Sequence, residues 1–399
     1  MRIRNPGLIF INILLTTSIS GCSLASVINR PTPTATATFT PTATATWTVT
    51  PTATATFTPT PTNTPTQTPT PTPEILVLPG TPLPSNIPAI SLENAANVSG
   101  LTTWQEQIIN YIDWLPASNS LGIASSEGIS IQDVPNQSRI GYIQTGKGLV
   151  SFSFSPDNIW LATSHRLGDA SSGYTGYFQL WRSPKWISWG AFGDSRPVSA
   201  LAFSPQSHVL ATAFTSPDYR NNSVEFRNTL TWEITQTLYT GTVLEIAFSA
   251  AGGMLASVPD RYAINIWDIK NGELLYKIPT SFTGAVNSLA FSPDGTTLAT
   301  GHYDGVIKTW DAKTGQLLKT MNSSGVIESL VFNPEGNILA SGESYFSNSI
   351  KLWRVDTGEL LRALEGHQHG VDFLIFSPDS RFLASASYDG MVRIWGIRP

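Results

Sequence analysis

Leu289-Ala290-Phe291-Ser292-Pro293-Asp294-Gly295, followed by Leu298-Ala299-Thr300, Asp304-Gly305 and Trp310-Asp311, sets out a grammar that returns through the last three-quarters of the 399-residue chain. The same order of apolar-x-aromatic, Ser-Pro turn, Leu-Ala-Ser/Thr, second turn and third-strand aromatic is anchored seven times. The anchors are Trp114, Phe154, Phe203, Phe248, Phe291, Phe332 and Phe376, spaced by 40, 49, 45, 43, 41 and 44 residues. One such unit cannot bury its own apolar faces, so a period near this length signals repeats that stack on one another.

The clearest unit reads as four strands. Val286 to Phe291 alternates toward a strand, and Ser292-Pro293-Asp294-Gly295 is a tight turn, with Pro presetting φ and Gly accepting positive φ. Thr297 to Thr300 is a second strand, and Val306 to Asp311 a β-branched third one. Lys313-Thr314-Gly315 turns the chain into a fourth, Gln316 to Met321. Four antiparallel strands joined by hairpins make one propeller blade, so the expected fold class is all-β, a seven-bladed β-propeller of four-stranded antiparallel blades.

These residues resemble the WD-repeat family, in which a Trp-Asp pair closes the third strand. Third-strand aromatics stand at Trp181, Phe226, Trp267, Trp310, Trp353 and Trp395, whereas the first unit has Gln132 there and the third pairs Phe226 with Arg227. The chain stops just after the third strand of the seventh unit. The resemblance implies that a segment ahead of the first unit, here Val98 to Trp104, completes the last blade and removes an exposed sheet edge. It also implies a buried hydrogen-bonded set of His, Ser/Thr, Asp and Trp. Only the seventh unit matches it well, with His367, Ser387, Asp389 and Trp395; the unit anchored at Phe291 keeps Asp304 and Trp310 with no equivalent His.

The amino terminus reads as an address. Arg2 and Arg4 precede a mostly apolar stretch, Leu8 to Ile19, too short for a permanent span of a roughly 30 Å bilayer core. Ile19-Ser20-Gly21-Cys22 resembles the bacterial lipoprotein processing box, which implies a signal peptide over 1–21 and lipidation of Cys22, the only cysteine. Ser23 rather than Asp follows it, which resembles the outer-membrane-sorted case where two membranes exist. From Thr32 to Thr72 threonine holds every even position, 21 in all, with ten prolines between Pro31 and Pro73 and no charge. Proline removes ladder donors and the segment has no core to bury, so it reads as a disordered tether that could extend on the order of 130 Å. A plain spacer and an O-glycosylated stalk both fit. The expected division is signal peptide 1–21, lipidated start 22–30, linker 31–89 and propeller 90–399.

Net charge is −5, 13% of residues are charged and no Lys/Arg stripe exists, which argues against a nucleic-acid partner. No nucleophile elbow, phosphate loop or metal-binding helix motif occurs. His367-Gln368-His369 has strand-like metal spacing, but His367 sits at the structural position implied by the resemblance. No metal or cofactor is therefore expected. The turn between second and third strands carries tyrosine in six of the seven units: Tyr174, Tyr219, Tyr262, Tyr303, Tyr345 and Tyr388. Blade geometry would set these on one rim, with Arg166, Arg220, Arg261 and His302 beside them; Tyr is also a common filler of β-rich surfaces.

These readings point to an exported, lipid-anchored, monomeric scaffold that binds a protein or an envelope component without catalysis. The alternatives are a propeller hydrolase or lyase acting on an extracellular polymer, which needs acids from different blades to converge, and a structural spacer of the envelope.

Overall fold

A computed structural model describes residues 2–4 and 80–399, apart from 107, 170–172, 194–195, 207, 216–221, 242, 260–261 and 281–283. The processing box, Cys22 and the Thr/Pro segment lie outside the described residues.

Seven antiparallel sheets follow one another along the chain, giving the seven-bladed β-propeller that the repeat demands. Their inner strands are Tyr111–Trp114, Leu149–Phe154, Val198–Phe203, Glu245–Phe248, Val286–Phe291, Val326–Phe332 and Val371–Phe376. Three further strands run outward from each inner one. Arg2–Arg4 adds a short antiparallel strand to the inner edge of blade four, with Arg2 opposite Ala247.

The turn chemistry explains why the motif recurs. In blade five Ser292 Oγ accepts from the Thr297 amide at 2.9 Å and donates to Asp294 at 2.5 Å, while Asp294 accepts the Thr296 amide at 3.0 Å. Gly295 closes the turn at φ 72°, where a side chain would be strained. Blades two and seven repeat the arrangement with Ser155–Asp157 and Ser377–Asp379, and blade six substitutes Asn333, whose Oδ1 takes the Ile338 amide at 2.9 Å. Asp311, after the tryptophan, performs the same service for the next hairpin by accepting the amides of Lys313 and Thr314.

The core lies between blades. Tyr111 of blade one meets Phe152 of blade two at 5.5 Å and Phe373 of blade seven at 5.2 Å, both edge-on, so one side chain joins three sheets. Inner strands leave an unpaired ladder edge along the axis, and side chains of adjoining blades cap it. Asn110 donates to the Leu149 carbonyl at 2.8 Å, and Ser288 accepts the Leu330 amide at 3.1 Å.

Closure follows the sequence expectation. Val98–Gln105 is the outermost strand of blade seven, running from Val98 opposite Ile397 to Gln105 opposite Met391, with a bulge between Gly100 and Thr102. The lead-in is more ordered than a linker ending at 89 would be. Leu83 and Ile87 are buried, Leu83 N donates to Pro135 O at 2.7 Å, and Ile90 N donates to Ser380 O at 2.8 Å. The folded part therefore begins within the stretch assigned to the linker, because these apolar side chains fill gaps along blades one and seven.

Removing residues 1–79 is expected to leave a cooperatively unfolding protein. Removing residues 1–105 exposes the edge at Met391–Ile397 and is expected to yield aggregated or partly unfolded protein. Thermal unfolding and light scattering on the two shortened chains check this.

Candidate functional site

Two kinds of site can be built from the repeat: an internal line of hydrogen bonds within each blade, and the face formed by the turns between second and third strands. The internal line is clearest in blade seven. Trp395 Nε1 donates to Ser385 Oγ at 2.8 Å, Ser385 Oγ lies 2.7 Å from His367 Nε2, and His367 Nδ1 lies 2.9 Å from Asp389. This brings His367, Asp389 and Trp395 together as expected and corrects the hydroxyl. Ser385 occupies that place; Ser387 bonds the His369 carbonyl and the Asp389 amide at the turn. The reason is strand alternation, since residues two apart share a face and spacing alone did not say which was level with the indole.

Blades two and five carry a variant. Trp181 donates to Thr163 at 3.0 Å, Thr163 lies 2.9 Å from His165 Nε2, and His165 Nδ1 faces the Lys147 carbonyl at 3.3 Å. Trp310, Thr300, His302 and the Gly284 carbonyl repeat the line at 2.9, 2.9 and 2.6 Å. His302 is therefore a correction to the surface reading: it is fully buried and supplies the histidine that the unit around Trp310 was expected to lack. The signal was present as Thr163-x-His165 and Thr300-x-His302.

With a neutral imidazole the line runs with Nε2 accepting from the hydroxyl and Nδ1–H donating to the carbonyl or carboxylate. Burial enforces this state, pushing His165 down to about 4 and lowering His302. Burial likewise lowers His367 against the opposing pull of Asp389. For Asp389, burial alone would raise the carboxyl, but the His367 and Gln368 bonds outweigh it and hold it at about 2.

In blade six Trp353 reaches Ser341 at 2.9 Å, and the histidine position holds Glu343, fully buried and paired with Lys351 Nζ at 2.9 Å. In blade three the Phe226 ring carries no N–H, and the Thr212 hydroxyl is left without a hydrogen-bond partner.

Five of the six candidate rim tyrosines fall on described residues. Tyr174, Tyr262, Tyr303, Tyr345 and Tyr388 are all exposed, Tyr345 and Tyr388 by about two-thirds (68% and 67%). Their turns are tied to neighbouring loops: Thr280 N donates to Tyr262 O at 2.8 Å, and Tyr303 N to Ala285 O at 2.9 Å. Tyr303 and Tyr345 meet across blades five and six at 6.2 Å, and the Arg166 guanidinium lies 4.9 Å over Tyr174. Phe346, 85% exposed beside Tyr345 at φ 66°, is a surface aromatic that the tyrosine period did not pick out. Its signal was the long turn from Glu343 to Ser349. Tyr219, Arg220 and Arg261 lie outside the described residues.

A cavity of about 410 Å³ occupies the axis, lined largely by apolar residues of the inner strands together with Asp113 and Asp372. Burial pushes Asp113 up to about 7, against the amides of Phe154 and Trp114 that favour its charged form. No cluster of three metal-ligating side chains occurs among the described residues.

Three segments, 272–311, 315–354 and 358–396, match the family model described as WD domain, G-beta repeat. They lie in blades four to seven. Periodic tryptophan protein 2 of Saccharomyces cerevisiae is 52% identical over 48 residues, 12% of this chain and 5% of that protein. Protein ROOT INITIATION DEFECTIVE 3 of Arabidopsis thaliana is 45% identical over 51 residues, 13% of this chain and 12% of that one. Nuclear distribution protein PAC1 of Arthroderma otae is 45% identical over 49 residues, covering 12% and 11%. The chain thus matches about an eighth or less of these relatives' own length, roughly one repeat.

Two consequences can be measured. Thr300→Val should destabilise by about 1–3 kcal/mol, because it orphans a buried indole N–H and an imidazole, whereas Thr212→Val should be neutral or stabilising. Denaturant titration of the two variants decides this.

The second consequence concerns pH. With a folded value near 4 against 6.5 unfolded, His165 contributes about 3 kcal/mol that is present above pH 6.5 and lost as pH falls toward 4. Asp113, raised above its unfolded value, acts oppositely: its contribution is full below about 3.8 and lost as pH rises through about 7. Asp113→Asn should therefore unmask a fall in stability between pH 7 and 4 that is flatter in the parent, as read from urea midpoints.

Proposed function

We propose that this chain is an exported, lipid-anchored propeller that captures a protein partner on its tyrosine rim, acting as a non-catalytic scaffold at the bacterial cell surface. The observation that carries the reading is the run of exposed aromatics Tyr303, Tyr345, Phe346 and Tyr388 on three successive blades, set on turns whose backbone is already held. Large, flat side chains with a hydroxyl bury much area for little ordering cost, which is what a recognition surface needs. Tyr345 is held at positive φ, a conformation that non-glycine residues adopt at a cost and that is concentrated at functional turns. WD-repeat propellers typically serve as protein-interaction scaffolds, and the three matched repeats support a protein as the kind of partner.

The anchor rests on sequence. Lipidation of Cys22 would hold the chain on the outer face of the cell membrane, or on the outer membrane where two are present, with the Thr/Pro segment as spacer. No helix among the described residues is long and apolar enough to cross a membrane. Processing ahead of Cys22 would also remove Arg2–Arg4 from the inner edge of blade four. The scaffold is read as monomeric.

A second reading, a hydrolase or lyase acting on an extracellular polymer, has one observation in its favour: Asp113, with a carboxyl near neutrality, shares the axial cavity with Asp372. Against it, the rest of that lining is largely apolar.

Combined Tyr303→Ala, Tyr345→Ala and Tyr388→Ala should weaken capture of an envelope partner by about a hundredfold or more while leaving the unfolding temperature within about 2 °C. Pull-down from envelope extract with parent and variant checks it, and equal capture would refute the rim. Cys22→Ala should abolish incorporation of labelled palmitate and release the protein from the membrane fraction. Polymer cleavage by the parent that Asp113→Asn abolishes would instead establish the second reading.

A further inference from the structure

Far from the rim, the outer hairpin of blade two carries a feature that neither the repeat nor the scaffold reading uses. Trp189, on the outermost strand Ile187–Phe192, is 48% exposed and is the one exposed indole among the described residues. It does not stand alone: Ile187, 64% exposed, lines the same cavity, so contiguous apolar area is left in water here. The ring does not hang free. Phe192 stacks on it at 5.8 Å, Trp160 meets it edge-on at 5.5 Å, and Trp232 of blade three lies 5.7 Å away. Trp160 and Trp232 are in contact with each other at 4.9 Å. The platform is therefore rigid before any ligand arrives.

Beside it is a cavity of about 310 Å³ lined by Trp189, Ile187, Ser183, Arg182 and Lys185 among others. Arg182 lies 5.7 Å over the Trp160 ring, which aims its guanidinium along the same surface. Arg182 and Lys185 are both exposed, and neither forms an ion pair with a described residue. The turn that carries Lys185 is pinned by Trp186, whose ring packs on Phe154 at 5.4 Å. No carboxylate lines the cavity. Asp157, on the adjoining turn, is engaged by the Ser155 hydroxyl and the Ile159 amide, and Glu233 follows Trp232 off the lining.

We propose that this hairpin is a binding site for an acidic polysaccharide, with a uronate ring as the unit recognised. The indole would take the apolar C–H face of the sugar, Arg182 and Lys185 would take its carboxylate, and the Ser183 hydroxyl would meet a ring hydroxyl. The two cations select an acidic over a neutral glycan. Their small number and the chain's net negative charge fit a single acidic ring better than a long polyanion such as nucleic acid. The site lies apart from the tyrosine rim and does not depend on it.

The test uses tetragalacturonate as probe and cellotetraose as its neutral counterpart, titrated into the mature chain by calorimetry and tryptophan fluorescence at low salt. Saturable binding of tetragalacturonate is expected, at least about tenfold tighter than cellotetraose. Trp189→Ala and the pair Arg182→Gln, Lys185→Gln should each weaken it by about tenfold or more, and the charge pair should also erase the preference over cellotetraose. The Tyr303, Tyr345 and Tyr388 alanine variant should bind as the parent does. Trp189→Ala opens an aromatic stack and can disturb the fold, but the two cations stand in solvent and their replacement decides the matter alone. Absence of saturable binding, equal affinity for the two probes, or undiminished binding by the charge-pair variant overturns the proposal.

Discussion

A four-stranded sheet that is apolar on both faces has to meet another sheet on each side, and in this protein that requirement is met only in a ring. Every blade uses its neighbours as the two halves of its core. Tyr111, wedged between Phe152 and Phe373, shows what this means at the seam: blades seven, one and two share one aromatic cluster. The ring has no interior blade that could be stable by itself and no terminal blade with a face left over. Closure by Val98–Gln105 is the covalent expression of the same demand, since the first strand and the last three belong to one sheet.

Once the ring is closed, each blade that carries a third-strand tryptophan has a buried slot beside it, and the slot must be filled with partners for polar atoms. The repeat shows how many solutions there are. Blade seven brings a histidine from the preceding loop, blades two and five bring one from the second strand, and blade six uses a carboxylate with a lysine. Blade three has the phenylalanine and leaves a threonine hydroxyl stranded. The solutions share a geometry rather than a sequence. An indole N–H points at a second-strand hydroxyl, and in blades two, five and seven that hydroxyl lies within hydrogen-bond distance of an imidazole Nε2.

The surface follows from what the core does not use. Among the described turns between second and third strands, Tyr174, Tyr262, Tyr303, Tyr345 and Tyr388 stand in solvent, and the backbones at Tyr262, Tyr303 and Tyr388 are held by neighbouring loops. The outer strands face water on one side, and there the exposed Trp189 stands out because three aromatic rings support it. Both surfaces combine a rigid base with exposed aromatic area, and they differ in charge: hydroxyls dominate the rim, while two cations flank the indole.

Much of this was legible in the chain before any coordinates. The period of the anchors, the Ser-Pro-Asp-Gly turns and the missing last strand dictated blade number, strand order and closure, because each rests on local backbone chemistry that neighbouring residues impose. Tyrosine exposure followed from the same period. What the chain alone did not reveal were pairings across strands and blades. Ser385 rather than Ser387 meets Trp395, His302 turns inward although it stands beside a surface tyrosine, Leu83 and Ile87 belong to the core although they follow a proline-rich tract, and three aromatics from two blades gather around Trp189. Sequence determined the repeating unit because turn and strand preferences act over a few residues. Tertiary structure decided which side chains face each other because that depends on register and on the angle between blades, which no local pattern encodes.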